Sequence, residues 1–115
     1  MSTPENHDAL AGLRVLVVED NQLVGRAVCR LIERASGTPI GPVASVDEAC
    51  RRIDEDAPDV AVLDFDIIGG TSQPVAERLL AAGRAFVFLS GFHAPVLPPH
   101  LAHAEVLRKP IRAAT

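Results

Sequence analysis

The fold of this chain is decided by the stretch PDVAVLDFDIIGG, which covers residues 58–70. Its centre, Val60 to Leu63, is an apolar and partly β-branched run, which is typical of a strand buried on both faces of a parallel sheet. The run ends in the carboxylate of Asp64, and a pair of glycines follows a few residues later. Because open α/β sheets bind their ligands at the carboxyl ends of the strands, we expect the chemistry of this chain at Asp64.

Length, charge and composition limit the possible classes. The 115 residues leave room for one domain, and the formal net charge is −4 with 3% aromatic residues. The negative charge disfavours duplex DNA and an anionic membrane as partners, and the low aromatic content disfavours single-stranded nucleic acid, whose bases stack on aromatic side chains. Residues 1–12 are predicted to form a flexible tail and lack the apolar segment of a signal peptide. Residues 13–115 are predicted to form the folded domain. With Cys29 and Cys50 interpreted as reduced core residues, we expect a soluble, cytoplasmic protein.

Apolar runs alternate with helical patterns on both sides of the central stretch. Four further runs predict strands, at residues 14–18, 39–44, 85–89 and 105–108, and the two prolines of the second suit an edge strand. Helices are predicted between the first four strands, and the prolines before residue 103 leave space for at most a short helix before the fifth. Strands that alternate with helices predict a parallel sheet with right-handed crossovers and helices on both faces.

The predicted helices have recognisable ends. Asn21 is the expected N-cap of the first helix and Gly37 its stop, while Ser45 begins a capping box at the second. Thr71 or Ser72 is expected to cap the third helix, which Gly83 ends.

Polar residues follow four of the predicted strands. Glu19 and Asp20 come after the first, and Asp64, Ser90 and Lys109 come at the ends of the third, fourth and fifth. All carboxyl ends of a parallel sheet lie on one edge, so these side chains are expected to converge. Clustered carboxylates suit Mg²⁺ or Mn²⁺, and an ammonium with a hydroxyl suits a phosphoryl group beside the metal. An Asp carboxylate in that place can act as a nucleophile toward phosphorus.

Four segments in this order resemble the receiver domains of two-component response regulators: VVEDN (17–21), DVAVLD (59–64), FLSG (88–91) and LRKP (107–110). The resemblance covers about residues 13–111 and implies a flavodoxin-like, doubly wound α/β fold with a five-stranded parallel sheet in the order 2-1-3-4-5. It also implies a stand-alone response regulator that receives a phosphoryl group from a sensor histidine kinase or a histidine phosphotransfer protein.

The resemblance further implies a role for each site residue. Asp64 is expected to be the phosphoacceptor, Ser90 the switch hydroxyl and Lys109 the lysine that senses the phosphoryl group. The metal is expected on Glu19, Asp20, Asp64 and the backbone carbonyl of Asp66, and the bond from Lys109 to Pro110 is expected to be cis.

The sequence departs from the family pattern in three places. Val106 stands where many members carry the aromatic partner of the switch hydroxyl, so the resemblance does not extend to aromatic coupling with Ser90. The side chain of Asp66 adds a fourth carboxylate near the site. Its effect on the lifetime of the phosphoryl group can be a decrease or an increase. The fourth helix is short and the fifth is missing or truncated, so we expect a homodimer or another partner on the face left open.

Two other functions remain open from the residues alone. Asp64-Phe65-Asp66 superficially resembles the Asp-x-Asp signature of haloacid-dehalogenase-type phosphatases, although those enzymes carry it on their first strand. A receiver-fold binding module that signals without phosphorylation is the other alternative. A receiver would be labelled once per molecule, whereas a phosphatase would turn over a phosphomonoester many times.

Overall fold

The computed structural model describes residues 8–91 and 97–109. Its large sheet consists of β1 (Arg14–Val18), β2 (Thr38–Val43), β3 (Val60–Asp64), β6 (Ala85–Ser90) and β7 (Glu105–Arg108). A small antiparallel hairpin of β4 (Asp66–Ile67) and β5 (Gly70–Thr71) follows β3. The helices are α1 (Gln22–Arg34), α2 (Val46–Asp56) and α3 (Gln73–Ala81), with a 3-10 turn at Pro99–Leu101.

The five strands of the large sheet are all parallel and lie in the order β2-β1-β3-β6-β7. When only these strands are counted, this is the predicted order 2-1-3-4-5, and the flavodoxin-like fold is confirmed. The strand with two prolines, β2, lies at an edge as predicted, where a missing N–H group leaves no partner unpaired. Every carboxyl end of the sheet therefore faces the same side.

Capping side chains start the first two helices as predicted. The Oδ1 atom of Asn21 accepts a hydrogen bond from Val24 N–H at 3.1 Å, and the Oγ atom of Ser45 accepts one from Glu48 N–H at 3.2 Å. Ser72 is the N-cap of α3 but makes no capping hydrogen bond with its side chain. The hydroxyl of Thr71 accepts from Gln73 N–H at 3.3 Å instead.

The end of α1 differs in detail from the prediction. The left-handed residue is Ser36, with a φ of 70°, and not Gly37. Gly37 donates its N–H to the carbonyl of Ile32, and a Cβ atom at position 37 would lie 2.8 Å from Cγ2 of Ile32. A glycine is needed here because the chain passes close to α1, and not because of its φ.

Apolar residues pack on both faces of the sheet. The larger cluster joins one face of the sheet to α2 and α3, and Leu101 of the 3-10 turn is buried in it with 2% exposure. Val28 and Ile32 of α1 pack on the second face against Val15, Val17 and Leu89. The 3-10 turn is the helical structure between β6 and β7 in the described part of the chain, which confirms the predicted shortening of the fourth helix.

Two predictions fall outside the described residues. The fifth helix would lie in residues 110–115, and the cis bond would involve Pro110. A homodimer through the face next to that helix therefore stays a prediction. Of the predicted tail, residues 8–12 form a turn in which Leu10 donates its N–H to Ala35 and packs beside α1.

No helix within residues 8–91 and 97–109 has the length and apolar character needed to cross a membrane.

Candidate functional site

The predicted acidic residues meet the lysine at the carboxyl edge of the sheet. Carboxylate oxygens of Glu19, Asp20 and Asp64 all lie within 4.8 Å of one another. The Nζ atom of Lys109 lies 2.9 Å from Oε1 of Glu19 and 3.0 Å from Oδ1 of Asp64. Residues that are up to ninety positions apart in the sequence are thus in direct contact, because all strands of the parallel sheet end on this edge and the Lys109 side chain reaches past β6 to the ends of β3 and β1.

Backbone hydrogen bonds fix the segments that carry these side chains. The N–H of Glu19 donates to the carbonyl of Val43 at 2.9 Å, which extends the pairing of β1 with β2 by one residue. On the other side of the site, Lys109 N–H donates to the carbonyl of Ser90 at 2.8 Å. The side chain of Glu19 is also held, since its Oε2 atom accepts from Asn21 N–H at 3.1 Å. The charged side chains therefore extend from backbone positions that these hydrogen bonds hold fixed.

Burial places the charges of the site in a poorly solvated environment. Glu19 is 1% exposed and Asp64 is 6% exposed. Burial, followed by the hydrogen bond with Glu19, raises the pKa of Asp64 to about 7, although Lys109 acts in the opposite direction. Two carboxylates this close share one proton more easily than they carry two negative charges. The site therefore holds a proton near neutral pH unless a cation replaces it.

The two partners of Asp64 stay charged. Burial alone would raise the pKa of Glu19, but hydrogen bonds with Lys109, Asp64 and the Asn21 N–H lower it. Burial alone would lower the pKa of Lys109, but its contacts with Glu19 and Asp64 raise it. Lys109 is thus a positive charge beside Asp64, the carboxyl group whose pKa is raised.

The residues present suit a divalent metal ion. The cluster has three carboxylates and one ammonium group, which contacts two of them, so a net negative charge remains when all are ionised. Their ligand atoms are hard oxygens, which Mg²⁺ and Mn²⁺ prefer over softer donors. A cation among Glu19, Asp20 and Asp64 would offset both the burial and the nearby Glu19 charge that raise the pKa of Asp64.

The structure places the remaining predicted residues around this cluster in different ways. Ser90 is buried at the end of β6, next to the strand that ends in Asp64. The side chain of Asp66 is exposed at the start of the hairpin and does not belong to the carboxylate cluster of the described residues. Val106 is half-buried, pairs with Phe88 across the sheet and packs on the larger apolar cluster. Pro110 lies outside the described residues.

An aromatic group beneath the site was only partly predicted. The rings of Phe65 and Phe86 both meet Phe88 edge to face, with centroid distances of 5.3 and 5.6 Å. The alternation of Phe86 and Phe88 along one strand is a sequence signal for core or helix-facing residues. Phe65 has no such signal, because it is a single apolar residue between Asp64 and Asp66.

The sequence reasoning missed three residues that shape the acidic end of the site. Asn21 was identified as a helix cap, but its backbone N–H also holds Glu19. Gly25 and Pro42 pack against each other beside Glu19, as described below. The available signal was a glycine inside an amphipathic helical pattern, which commonly has a packing reason.

Comparisons with known proteins place this geometry in a family. No protein-family model and no curated protein matches the chain. Among solved structures, SdrG from Sphingomonas melonis Fr1 is 34% identical, with a TM-score of 0.76 over 90% of this chain and 87% of SdrG. A BeF3-activated conformation of SdrG, from Pseudomonas melonis Fr1, is also 34% identical, with a TM-score of 0.75 over 89% of this chain and 87% of that one.

More distant structures share the fold. The signal receiver domain of a putative LuxO repressor protein from Vibrio parahaemolyticus is 19% identical, with a TM-score of 0.74 over 87% of this chain and 80% of that domain. The BeF3-activated receiver domain of RstA from Klebsiella pneumoniae is 17% identical, with a TM-score of 0.73 over 86% of this chain and 87% of its own. Together with the identity to SdrG, these matches show that the chain belongs to the receiver domains of response regulators.

Proposed function

We propose that this receiver domain accepts a phosphoryl group on Asp64 from a phosphohistidine in a sensor histidine kinase or a histidine phosphotransfer protein. It would then signal through protein–protein contact in the cytoplasm. The observation that carries the proposal is the contact of 3.0 Å between Oδ1 of Asp64 and the ammonium of Lys109, beside two further carboxylates. A lone strand-end carboxylate would lack both the positive charge and the cation ligands that phosphoryl transfer requires.

The transfer itself exchanges one bond to phosphorus for another. A carboxylate oxygen of Asp64 attacks the phosphorus atom, the P–N bond to the donor histidine breaks, and the imidazole leaves with the bonding electron pair. In this proposal the Lys109 ammonium would balance negative charge on the phosphoryl oxygens. A Mg²⁺ or Mn²⁺ ion held by Glu19, Asp20 and Asp64, with the backbone carbonyl of Asp66 as the fourth proposed ligand, would supply the remaining positive charge.

Asp64 has to be deprotonated before it can act as a nucleophile. Its raised pKa means that part of the protein carries a proton there near neutral pH. Cation binding favours the ionised form because the ligand oxygens must lose their protons. The acidic cluster would thus prepare the nucleophile as well as bind the cation.

We further propose Ser90 as the group that reads the phosphorylated state, with its hydroxyl donating to a phosphoryl oxygen. Its position at the end of the strand beside β3 supports this role. Since Val106 replaces the expected ring, the signal would pass through aliphatic packing next to Phe88 and not through an aromatic side chain.

The central experiment is labelling with acetyl phosphate and Mg²⁺, followed by mass spectrometry of the intact protein. We expect one phosphoryl group per molecule in the wild type and none in Asp64→Asn. The matched control is Asp59→Asn, because Asp59 lies just before the same strand but at the opposite edge of the sheet. Labelling of Asp64→Asn, or no labelling of the wild type, would contradict the phosphoacceptor role.

The phosphodonor is tested by mixing the protein with phosphorylated candidate kinases and following the label. We expect transfer to wild-type protein and no transfer to Asp64→Asn. Loss of the label that requires the kinase would indicate return of the phosphoryl group, as in a relay. Repeated turnover of a phosphomonoester would instead indicate the phosphatase alternative.

A further inference from the structure

Gly25 lies at an unusually close contact between α1 and the edge strand β2. It is buried, and a Cβ atom at this position would lie 2.6 Å from Cβ and 2.8 Å from Cγ of Pro42. It would also lie 3.6 Å from Cβ of Glu19, which is ordinary contact. Real Cβ atoms do not approach carbon atoms to 2.6 Å, and a pyrrolidine ring has no rotamer that turns away. Any side chain at position 25 must therefore move α1 or β2.

The strand cannot retreat freely, because its backbone is irregular and closely packed at this point. The pairing of β1 with β2 shifts between Leu16 and Val18, where Gly41 has a φ of 114°. A Cβ atom on Gly41 would lie 2.8 Å from the carbonyl oxygen of Val17. Directly after Pro42, the carbonyl of Val43 accepts the hydrogen bond from Glu19 N–H. The ring of Pro42 is thus part of the same local structure that holds the backbone of Glu19.

The helix side of the contact also leads to Glu19. The N–H of Gly25 donates to the carbonyl of Asn21 at 2.9 Å, in the first turn of α1. Asn21 in turn donates its N–H to Oε2 of Glu19. A displacement of α1 at Gly25 would therefore move Asn21, and with it the hydrogen bond that orients the Glu19 carboxylate.

We propose that Gly25 and Pro42 are positioning residues that fix how deeply Glu19 enters the site and thereby set its affinity for a divalent cation. The inference rests on the proposed function, since it takes Glu19, Asp20 and Asp64 as the cation ligands. Gly25 is less favourable than alanine within a helix, so its presence there calls for a specific reason. The close contact with Pro42 supplies that reason, and its connection to Glu19 from both sides relates it to the site.

The test compares Mn²⁺ affinity, measured by electron paramagnetic resonance of free Mn²⁺, in wild type and Gly25→Ala. We expect Gly25→Ala to weaken binding about tenfold, which is the usual scale for residues that orient metal ligands. Circular dichroism and thermal unfolding establish that the variant is folded. The matched control is Ala27→Ser, which adds one atom to an exposed position of the same helix and should leave Mn²⁺ affinity unchanged.

A rescue variant separates positioning from general destabilisation. Pro42→Gly removes the atoms that the new methyl group would meet, so Gly25→Ala should change affinity by less than about twofold in the Pro42→Gly background. An equal loss in both backgrounds would overturn the inference. If Gly25→Ala does not fold, Pro42→Gly alone decides: weaker Mn²⁺ binding supports the inference, and wild-type affinity overturns it.

The outcomes also separate this inference from the proposed function. If the wild type does not bind Mn²⁺, the proposed cation site is wrong and the inference is overturned with it. If the wild type binds Mn²⁺ and folded Gly25→Ala binds equally well, the inference alone is overturned, and the phosphoacceptor proposal stands.

Discussion

Charged residues from distant parts of the chain meet at both ends of the parallel strands, at the amino ends (the amino edge) and at the carboxyl ends (the carboxyl edge). The positive and negative charges are balanced differently at these two edges. At the amino edge, Asp59 accepts from Arg14 N–H at 2.8 Å and lies 3.9 Å from Nη1 of Arg84. Both side chains of the latter pair are more than a third exposed, at 37% and 39%. At the carboxyl edge, the buried residues Glu19 and Asp64 share a single lysine, and Asp20 lies beside them.

A candidate site differs from a structural ion pair in burial and in the balance of its charges. At the amino edge, the paired acid and base are close to water, so their ion pair contributes little to stability. At the carboxyl edge, acids outnumber the base in a place that water reaches poorly, and the pKa of Asp64 rises to about 7 as a result. Charged residues converge at both edges. Only the carboxyl edge buries more acids than bases, and this excess indicates a site for a ligand.

Removing the base from each edge should give the largest contrast. Lys109→Gln is expected to slow labelling by acetyl phosphate about a hundredfold, because one preorganised charge at the phosphoryl group is lost. Arg84→Gln is the matched variant at the amino edge and should label at the wild-type rate. Time courses of labelling with saturating Mg²⁺ measure both, and equal rates in the two variants would remove Lys109 from the proposed mechanism.

The pH dependence of stability should also distinguish the edges. Native Asp64 keeps its proton up to a pH of about 7, whereas the unfolded chain loses it near the ordinary pKa of 3.8. The folded state therefore binds more protons between these values, and its free energy of unfolding falls as pH rises, by at most about 1.4 kcal/mol per pH unit. The pKa of Glu19 is lowered from its ordinary value of 4.5, so its effect on stability falls at and below that pH and not near neutrality.

The measurement is urea unfolding in EDTA from pH 5 to 8, for wild type, Asp64→Asn and Asp59→Asn. The fall with rising pH should be reduced in Asp64→Asn and retained in Asp59→Asn. Saturating Mg²⁺ should also reduce it in the wild type, because a cation replaces the proton on Asp64. If the free energy of unfolding depended on pH identically in wild type and Asp64→Asn, Asp64 would not be the group that retains a proton in the folded state.

Glu19→Gln should weaken metal binding and, at pH 8 where Asp64 is ionised as well, stabilise the metal-free protein. Without the second buried charge, Lys109 and Asp64 form a balanced pair, and the gain should be roughly 1 kcal/mol, the value of about one pKa unit. Mn²⁺ affinity should fall, because an amide is a poorer ligand than a carboxylate. Unfolding curves in EDTA and Mn²⁺ titrations measure the two effects, and a loss of stability in EDTA would contradict the repulsion between Glu19 and Asp64.

The smallest effect is expected from the amino edge itself. Arg84→Ala should lower the free energy of unfolding by less than about 1 kcal/mol, since its ion pair with Asp59 is long and half-exposed. Mn²⁺ affinity should not change. A loss of Mn²⁺ binding in Arg84→Ala would show that the two edges are coupled through β6 and do not act independently.

The sequence by itself determined the elements and the types of residue at their ends. Apolar runs and capping residues are local signals, so the strands, Asn21 and Ser45 could be predicted from their neighbours alone. The parallel sheet then required Glu19, Asp64, Ser90 and Lys109 to lie on one edge, whatever their distances in detail. The five-stranded order and the shortened fourth helix followed from the same patterns together with the family resemblance.

Only the tertiary structure decided how these charges balance and what holds them. The position of Lys109 between Glu19 and Asp64 depends on distances between strands far apart in the chain, and so does the pKa of Asp64. The contact of Gly25 with Pro42 requires the shifted pairing of β2, which no local pattern reveals. Electrostatic energies and steric contacts change within an ångström, whereas sequence patterns specify only which face or edge a residue occupies.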